Sequence, residues 1–393
     1  DRANLRGAEP MSDGYLPQLP WHASSWSALA PLRARGVHAL LLHGAAGIGK
    51  KSLALDLARA ALCESPTADG HACGRCAGCA LTAAGSHPDL RIVVPDTMAQ
   101  WRGAAADDDD TDLDTIDDIE PEPAAEPGGG KGKKISREIR IEQVRALADF
   151  MSTSTHRGGL RVVMLAPAEL LNAASANSLL KMLEEPPPAS LFVLVTDALD
   201  DVLPTIRSRC VLVRVAAPAP EQALAWLRAQ DVAQPDDVLA AAGGAPLAAL
   251  AQARGAALDP ELRQVLLDLL AKGAQLTPAE VAARVPKTVP VGPTLALFQR
   301  WGWDLLALSS VRTPTAVRYH PRDRAVLGRL AAQCGTGGLL HWLARLTGYR
   351  QSQDHPLNAR LVIESALLDY VACFGAAAPS RPGSAVTAQA RNR

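Results

Sequence analysis

At 393 residues the chain is longer than one hydrophobic core usually holds, so two or three domains are expected. Ala, Leu and Val dominate and aromatic residues are only 4%, which favours helices with an α/β portion and argues against an all-β protein. The net charge of -1 conceals a split: residues 107–126 hold eleven Asp or Glu and no Lys or Arg, and setting those eleven aside leaves the remainder at +10. A moderately basic body is compatible with work near nucleic acid, although dispersed charge does not by itself make a binding face. No apolar run is long enough to span a bilayer and no signal peptide opens the chain, so a cytoplasmic protein is expected, with no membrane partner.

Residues 1–19 are expected to form a disordered extension, and since the sequence starts at Asp1 rather than Met its first residues need not be native. Pro20-Trp21 then leads into a predicted helix over 25–35 and a buried strand over 38–42. The next stretch, GAAGIGKKS at 44–52, places Gly44, Gly47, Gly49 and Lys50 on the pattern G-x-x-x-x-G-K-[ST]. Strand, glycine-rich loop and helix are the setting a phosphate-binding loop requires, because backbone N–H groups and a helix N-terminus together cradle anionic oxygens. The last position fails: Lys51 replaces the hydroxyl that holds Mg²⁺, and Ser52 is a poor substitute because one helical step turns a side chain by about 100°. A plain glycine-rich turn capping a helix is the alternative. The loop reads as a descended phosphate loop that is not productive, and whether it still holds nucleotide is left open.

Cys63, Cys73, Cys76 and Cys79 follow, spaced C-x9-C-x2-C-x2-C. Two overlapping C-x2-C steps let thiolates converge at tetrahedral distance, and a fourth closes a four-thiolate site with no open coordination position, so a structural zinc is expected. His71 is the alternative to Cys63. The other three cysteines, Cys210, Cys334 and Cys373, are scattered, which fits a metal site in a reducing compartment better than a disulfide framework.

A strand is predicted over 90–94, followed by an acidic, glycine- and proline-rich insertion over 103–134 with too little apolar surface to order. An amphipathic helix over 139–153 precedes the central strand, 162–165. In a nucleotide-hydrolysing α/β protein an Asp and a Glu close that strand, one holding Mg²⁺ through water and one orienting the attacking water. Here Ala166 and Pro167 stand in those places, so the chain keeps the frame without the chemistry. Further strands are predicted over 191–196 and 211–215. This alternation indicates a parallel sheet covered on both faces, with the phosphate loop, Ala166-Pro167 and Thr196 meeting at its carboxyl edge. Beyond Pro218 only helices are expected: 220–230, 235–242 and 245–254 as a small domain, then 260–272, 293–310, 321–333, 337–350 and 357–374, with a disordered tail from 375.

The phosphate-loop remnant, the four-cysteine knuckle, HPD at 87–89, ANSLLKMLEEPP at 176–187 and SRC at 208–210 together resemble the AAA+ subunits of the bacterial clamp loader. Lys51, Ala166 and Pro167 make the chain similar to the delta-prime type of that family, which serves DNA polymerase III. The resemblance is strong over 20–215 and only architectural beyond. It implies an AAA+ P-loop module over 20–216, a helical lid over 217–256 and an all-α collar over 257–374. It also implies a noncatalytic subunit of the DNA polymerase III holoenzyme that helps load the sliding clamp onto primed DNA beside motor subunits and a clamp-opening subunit. ATP and Mg²⁺ would be bound by those neighbours.

The resemblance further implies that Arg209 of SRC is an arginine finger reaching a neighbouring motor's ATP, with Arg207 a nearby competitor outside the motif. Thr196 takes the place of a phosphate-sensing residue, while GGAPLAAL at 243–250 lacks the nucleotide-contacting arginine of a motor's lid. Glu184 and Glu185, directly before Pro186, read as a helix end that meets partners. Two other readings stand: an ATP-hydrolysing motor using Ser52 for metal and Glu169 for water, and a zinc-knuckle module binding nucleic acid, for which Arg75 and His71 are the only basic residues within the knuckle.

Overall fold

A computed structural model describes residues 19–101, 136–153, 155–157, 159–255, 258–310, 317–351 and 359–374. The extension through residue 18, the acidic insertion and the tail lie outside the described residues. The chain divides into two compact units, 1–222 and 223–393.

In the first unit the strands are β1 (Ala39–His43), β2 (Leu90–Val93), β3 (Arg161–Leu165), β4 (Ser190–Thr196) and β5 (Val211–Arg214). They form one parallel sheet in the order β2-β3-β4-β1-β5. Leu40 to Leu42, Val162 to Leu165 and Phe192 to Val195 are buried on both faces, as expected for continuous apolar strands without alternation. On one face Leu41, Val163, Leu165, Phe192 and Leu194 share a core with α4 (Ile141–Ser152) and α5 (Ala173–Glu184). Across β1, β3 and β4 lies α2 (Lys50–Ala61). The remaining helices of this unit are α1 (Ala23–Ala34), the short α3 (Ala77–Ala83) and α6 (Pro204–Arg207).

His87 and Asp89 of HPD pin the start of β2. The Asp89 N–H donates to His87 Nδ1 at 3.1 Å, and Asp89 Oδ1 accepts from the His156 N–H at 2.9 Å, tying two distant loops together. Both side chains are buried.

Leu19, assigned from sequence to the extension, is instead buried against the phosphate loop. A side chain in place of Gly49 would collide with Leu19 and His22. The Trp21 indole donates to the Ile48 carbonyl at 2.8 Å, and His22 Nε2 lies 3.1 Å from the same oxygen. The ordered unit therefore begins at least one residue earlier than the sequence suggests, because this segment supplies the loop's outer cover.

After α7 (Pro220–Ala229), the second unit is helical throughout its described residues: α8 (Pro235–Ala241), α9 (Pro246–Ala253), α10 (Pro260–Ala271), α11 (Pro278–Arg284), α12 (Val291–Ser310), α13 (Arg324–Ala331), α14 (Thr336–Gln351) and α15 (Ala359–Ala372). Its core is organised by aromatic donors that each find a buried acceptor. Trp301 Nε1 donates to Tyr370 Oη at 3.1 Å, Tyr370 donates on to the Leu270 carbonyl, and Trp342 Nε1 donates to the Ala366 carbonyl. Asp304, itself buried, accepts from the backbone N–H groups of Arg318, Tyr319 and His320. Arg318 donates to the Gly243 carbonyl and Arg322 pairs with Gln234 and Asp237. These contacts join the segment around α8 and α9 to the longer helices, a link across the expected 256/257 boundary that local periodicity does not reveal.

The helix α11 has no counterpart in the sequence reading. Its signal was present: Thr277 caps Glu280 N–H, Glu280 returns a bond to the Thr277 N–H, and Pro278 occupies the first turn, which is a capping box with proline at N1.

Candidate functional site

The parallel pairing of β1 with β4 sets His43 opposite Thr196. The loop that follows β1 therefore lies beside the residues that follow β4. On the other side of β1, Gly44 permits a close approach to the residue after β5, since a Cβ there would lie 2.5 Å from the Val215 carbonyl oxygen. Gly49, at φ +90°, ends the loop in a left-handed conformation and starts α2.

Lys50 sits at the loop's centre, almost fully buried. Its ammonium donates to the Gly44 carbonyl at 2.8 Å and the Ala45 carbonyl at 2.5 Å, and it pairs with Asp197 Oδ1 at 2.5 Å. Three acceptors of its own chain thus take up its three protons. Asp197 was not singled out from sequence. It falls directly after Thr196, but an acid after a strand is too common a signal to stand out. Thr196 is fully buried, and its hydroxyl oxygen accepts the Ala198 N–H at 3.1 Å.

Lys51 takes the position where a hydroxyl would meet the metal. Its ammonium lies 5.4 Å from the centre of the Trp101 ring and 3.6 Å from Met98 Sδ. Burial pulls it below the ordinary lysine range, against the opposing pull of the Asp197 and Glu169 carboxylates. Ser52 is buried. At the end of β3, Ala166 is fully buried and Pro167 partly so. Glu169 comes closer to the loop than its sequence distance suggests: Oε1 accepts the Asp197 N–H at 3.1 Å, while Oε2 is buried.

The four cysteines converge. Their sulfurs all lie within 4.8 Å of one another, with Cys63 to Cys76 at 3.8 Å and Cys73 to Cys79 at 3.9 Å. A tetrahedral ion with metal–sulfur bonds of about 2.3 Å requires edges of about 3.8 Å, so the donor set and the spacing both fit a four-thiolate metal site. The Cys73 N–H donates to Cys63 Sγ and the Cys79 N–H to Cys76 Sγ, orienting the sulfurs. Backbone N–H groups of Arg75 and Cys76 draw the Cys73 thiol down to about 6, whereas burial pushes Cys79 up to about 12. His71 stands outside the cluster and stacks on Trp26 at 4.1 Å, which fastens the knuckle to α1.

Arg209 follows α6 at the far end of α5. One terminal nitrogen donates to the Thr205 carbonyl at 2.9 Å and the other pairs with the Glu184 carboxylate. About one third of the side chain is exposed. Arg207 turns elsewhere, 3.7 Å from the freely exposed Asp200 carboxylate. The flanking Ile206 and Cys210 are buried in the core that includes Met182 and Leu183 of α5, so the backbone on each side of Arg209 is anchored.

Residues 32–219 match the family described as DNA polymerase III, delta subunit. Over 362 residues the chain is 30% identical to the DNA polymerase III subunit delta' of Pseudomonas aeruginosa, a match covering 91% of this chain and 98% of that one. It is 34% identical over 225 residues to the subunit delta' of Escherichia coli, and there it spans 56% of the relative's length. Among solved structures, a DNA polymerase III gamma subunit-related protein of Thermotoga maritima aligns over 89% of this chain and 99% of its own. That alignment has 16% identity and a TM-score of 0.37.

Proposed function

The chain belongs to the family of DNA polymerase III delta' subunits, and from that membership we propose that it is a non-hydrolysing, delta-prime-type AAA+ subunit of a clamp loader. It packs beside ATP-hydrolysing motor subunits and a clamp-opening subunit in the cytoplasm, and through the complex helps place the sliding clamp on primed DNA. Residues 19–216 belong to the AAA+ domain, 217–256 to the lid and 257–374 to the collar that joins the assembly. Cys63, Cys73, Cys76 and Cys79 hold a zinc ion whose four ligands leave no open position, so it serves structure alone.

The observation that carries this reading is the carboxyl end of β3, where the buried Ala166 methyl and Pro167 offer nothing to bind a cation or polarise water. Glycines 44, 47 and 49, with Lys50 and Thr196, keep the outline of a nucleotide site. Lys50 is committed to its own chain. The chain's contribution to hydrolysis is made outside this loop. Arg209 reaches a neighbouring motor's ATP and neutralises charge that develops on the transferred phosphoryl group.

The test is DNA- and clamp-stimulated ATP hydrolysis by motor subunits assembled with this chain. Arg209→Ala should assemble normally yet lower hydrolysis by about tenfold or more, and the chain alone should be inert. Undiminished hydrolysis with Arg209→Ala would remove the finger role. Mg²⁺-dependent hydrolysis by the chain alone, lost in Lys50→Ala, would restore the motor reading.

A further inference from the structure

Two adjacent glutamates close α5, and carboxylates at that end of a helix oppose its dipole. Helix stability therefore does not account for them. Their surroundings differ: Glu184 pairs with Arg209, whereas Glu185 is exposed and has no ion pair among the described residues. Pro186 and Pro187 follow directly and end the helix.

The partner is equally constrained. Arg209 Nη1 donates to the Thr205 carbonyl and lies 3.3 Å from Ser208 Oγ, and Nη2 goes to Glu184. Both terminal nitrogens are turned back onto the chain that carries them. With Nη1 shared between Thr205 and Ser208 and Nη2 on Glu184, the two terminal nitrogens are not free to grip an oxyanion end-on, one of the bidentate modes by which arginine holds phosphate. Engaging phosphate in that mode requires Arg209 to let go of Glu184. Their pairing is also weak enough to give up. About half of the Glu184 side chain is exposed, and an ion pair so open to water is screened and easily exchanged for a more highly charged partner.

We propose that Glu184 is a positioning residue that parks Arg209 against its own chain until the terminal phosphates of a neighbouring subunit's nucleoside triphosphate displace it. This inference rests on the reading of Arg209 as a finger. Glu184 then keeps the arginine off other anions before assembly and makes its engagement conditional on a phosphate group that outcompetes one carboxylate. LEEPP and SRC, distant in sequence, become the two halves of one latch.

The experiment compares wild type, Glu184→Gln, Glu184→Ala, Glu185→Gln and Arg209→Ala in two measurements. In the reconstituted assembly, Glu184→Gln and Glu184→Ala should raise kcat/KM for ATP by about two- to fivefold, the range a surface ion pair commands. Arg209→Ala should be slow, and the gain in the Glu184 variants should exceed any change in Glu185→Gln. In the chain alone, phenylglyoxal modification mapped by peptide mass should accelerate at Arg209 in both Glu184 variants by a similar factor, and stay constant at Arg207. A residue that only stabilised the fold would not produce this selective change. If Arg209→Ala is slow but Glu184→Gln leaves both hydrolysis and the Arg209 modification rate unchanged, or slows hydrolysis in a normally formed assembly, the latch is wrong and the finger stands. If Arg209→Ala hydrolyses normally, the finger is wrong and the latch has no role in hydrolysis.

Discussion

The ammonium of Lys50, the first residue of α2, is held 2.5 Å from the carboxylate of Asp197, the residue that follows β4. The pair has one nearly inaccessible member and one half-exposed member, so water screens it less than an ordinary surface bridge. An incoming phosphate must compete for the cation and meet an uncompensated carboxylate.

Asp197→Asn should consequently tighten nucleotide binding by the isolated chain, on the order of tenfold, equivalent to about 1.4 kcal/mol. Titration calorimetry with ATP would read it, and adding Lys50→Ala should abolish the gain. Equal affinity in wild type and Asp197→Asn would mean that Asp197 does not restrain the loop.

Replacing Lys51 with threonine restores the missing hydroxyl of the loop motif. Hydrolysis should nevertheless remain at background, because Ala166 and Pro167 still provide no carboxylate. Stability should fall by less than about 1 kcal/mol, the scale of the lost cation–π contact with Trp101. Steady-state phosphate release and thermal unfolding measure the two halves of this expectation. Multiple turnover by Lys51→Thr alone would show that another acid, with Glu169 the nearest choice, can do the work.

The chain should carry one equivalent of zinc, released by a strong chelator or by mercurial titration of the thiols. Cys76→Ser should lose the metal and lower the melting temperature of the first unit by roughly 5–10 °C, since each kcal/mol moves the midpoint of a domain this size by about 2–4 °C. His71→Ala should retain zinc, because the imidazole stacks on Trp26 instead of joining the sulfurs. Metal loss in His71→Ala would mean that the ligand set includes the histidine.

Glu280 gives a pH test in the second unit. The Lys272 ammonium, followed by the Thr277 N–H and hydroxyl, draws its carboxyl from 4.5 down to about 2. The folded state thus prefers the ionised form. The stabilisation is complete above about pH 4.5 and disappears as pH falls towards about 2. Urea unfolding should show wild type more stable than Glu280→Gln at pH 7, with the gap narrowing between pH 4.5 and 2. A gap independent of pH would assign the difference to packing.

Much of the first unit is legible locally. Continuous apolar runs read as doubly buried strands, and each predicted strand lies within one or two residues of its observed bounds. Cysteine spacing anticipates a cluster because C-x2-C steps bring sulfurs together whatever surrounds them. The short helices α3 and α11 were missed for opposite reasons: the first is masked by glycines and cysteines, and the second carries a capping box that periodicity over so few residues cannot reinforce.

By itself, the sequence determined which groups stand at the end of the loop and of β3 and which atoms the chain could offer a metal. Lys51, Ala166 and Pro167 carry neither a hydroxyl nor a carboxylate in any fold, and four closely spaced thiols supply a donor set. Only the tertiary structure decided the partners: Asp197 on Lys50, Trp21 and His22 on Ile48, Glu184 on Arg209. Each joins segments separated along the chain by intervening elements. Their meeting depends on β1 lying between β4 and β5, and on α5 ending beside α6. Strand order and helix docking are set by burial summed over the whole core, which no local run of residues encodes.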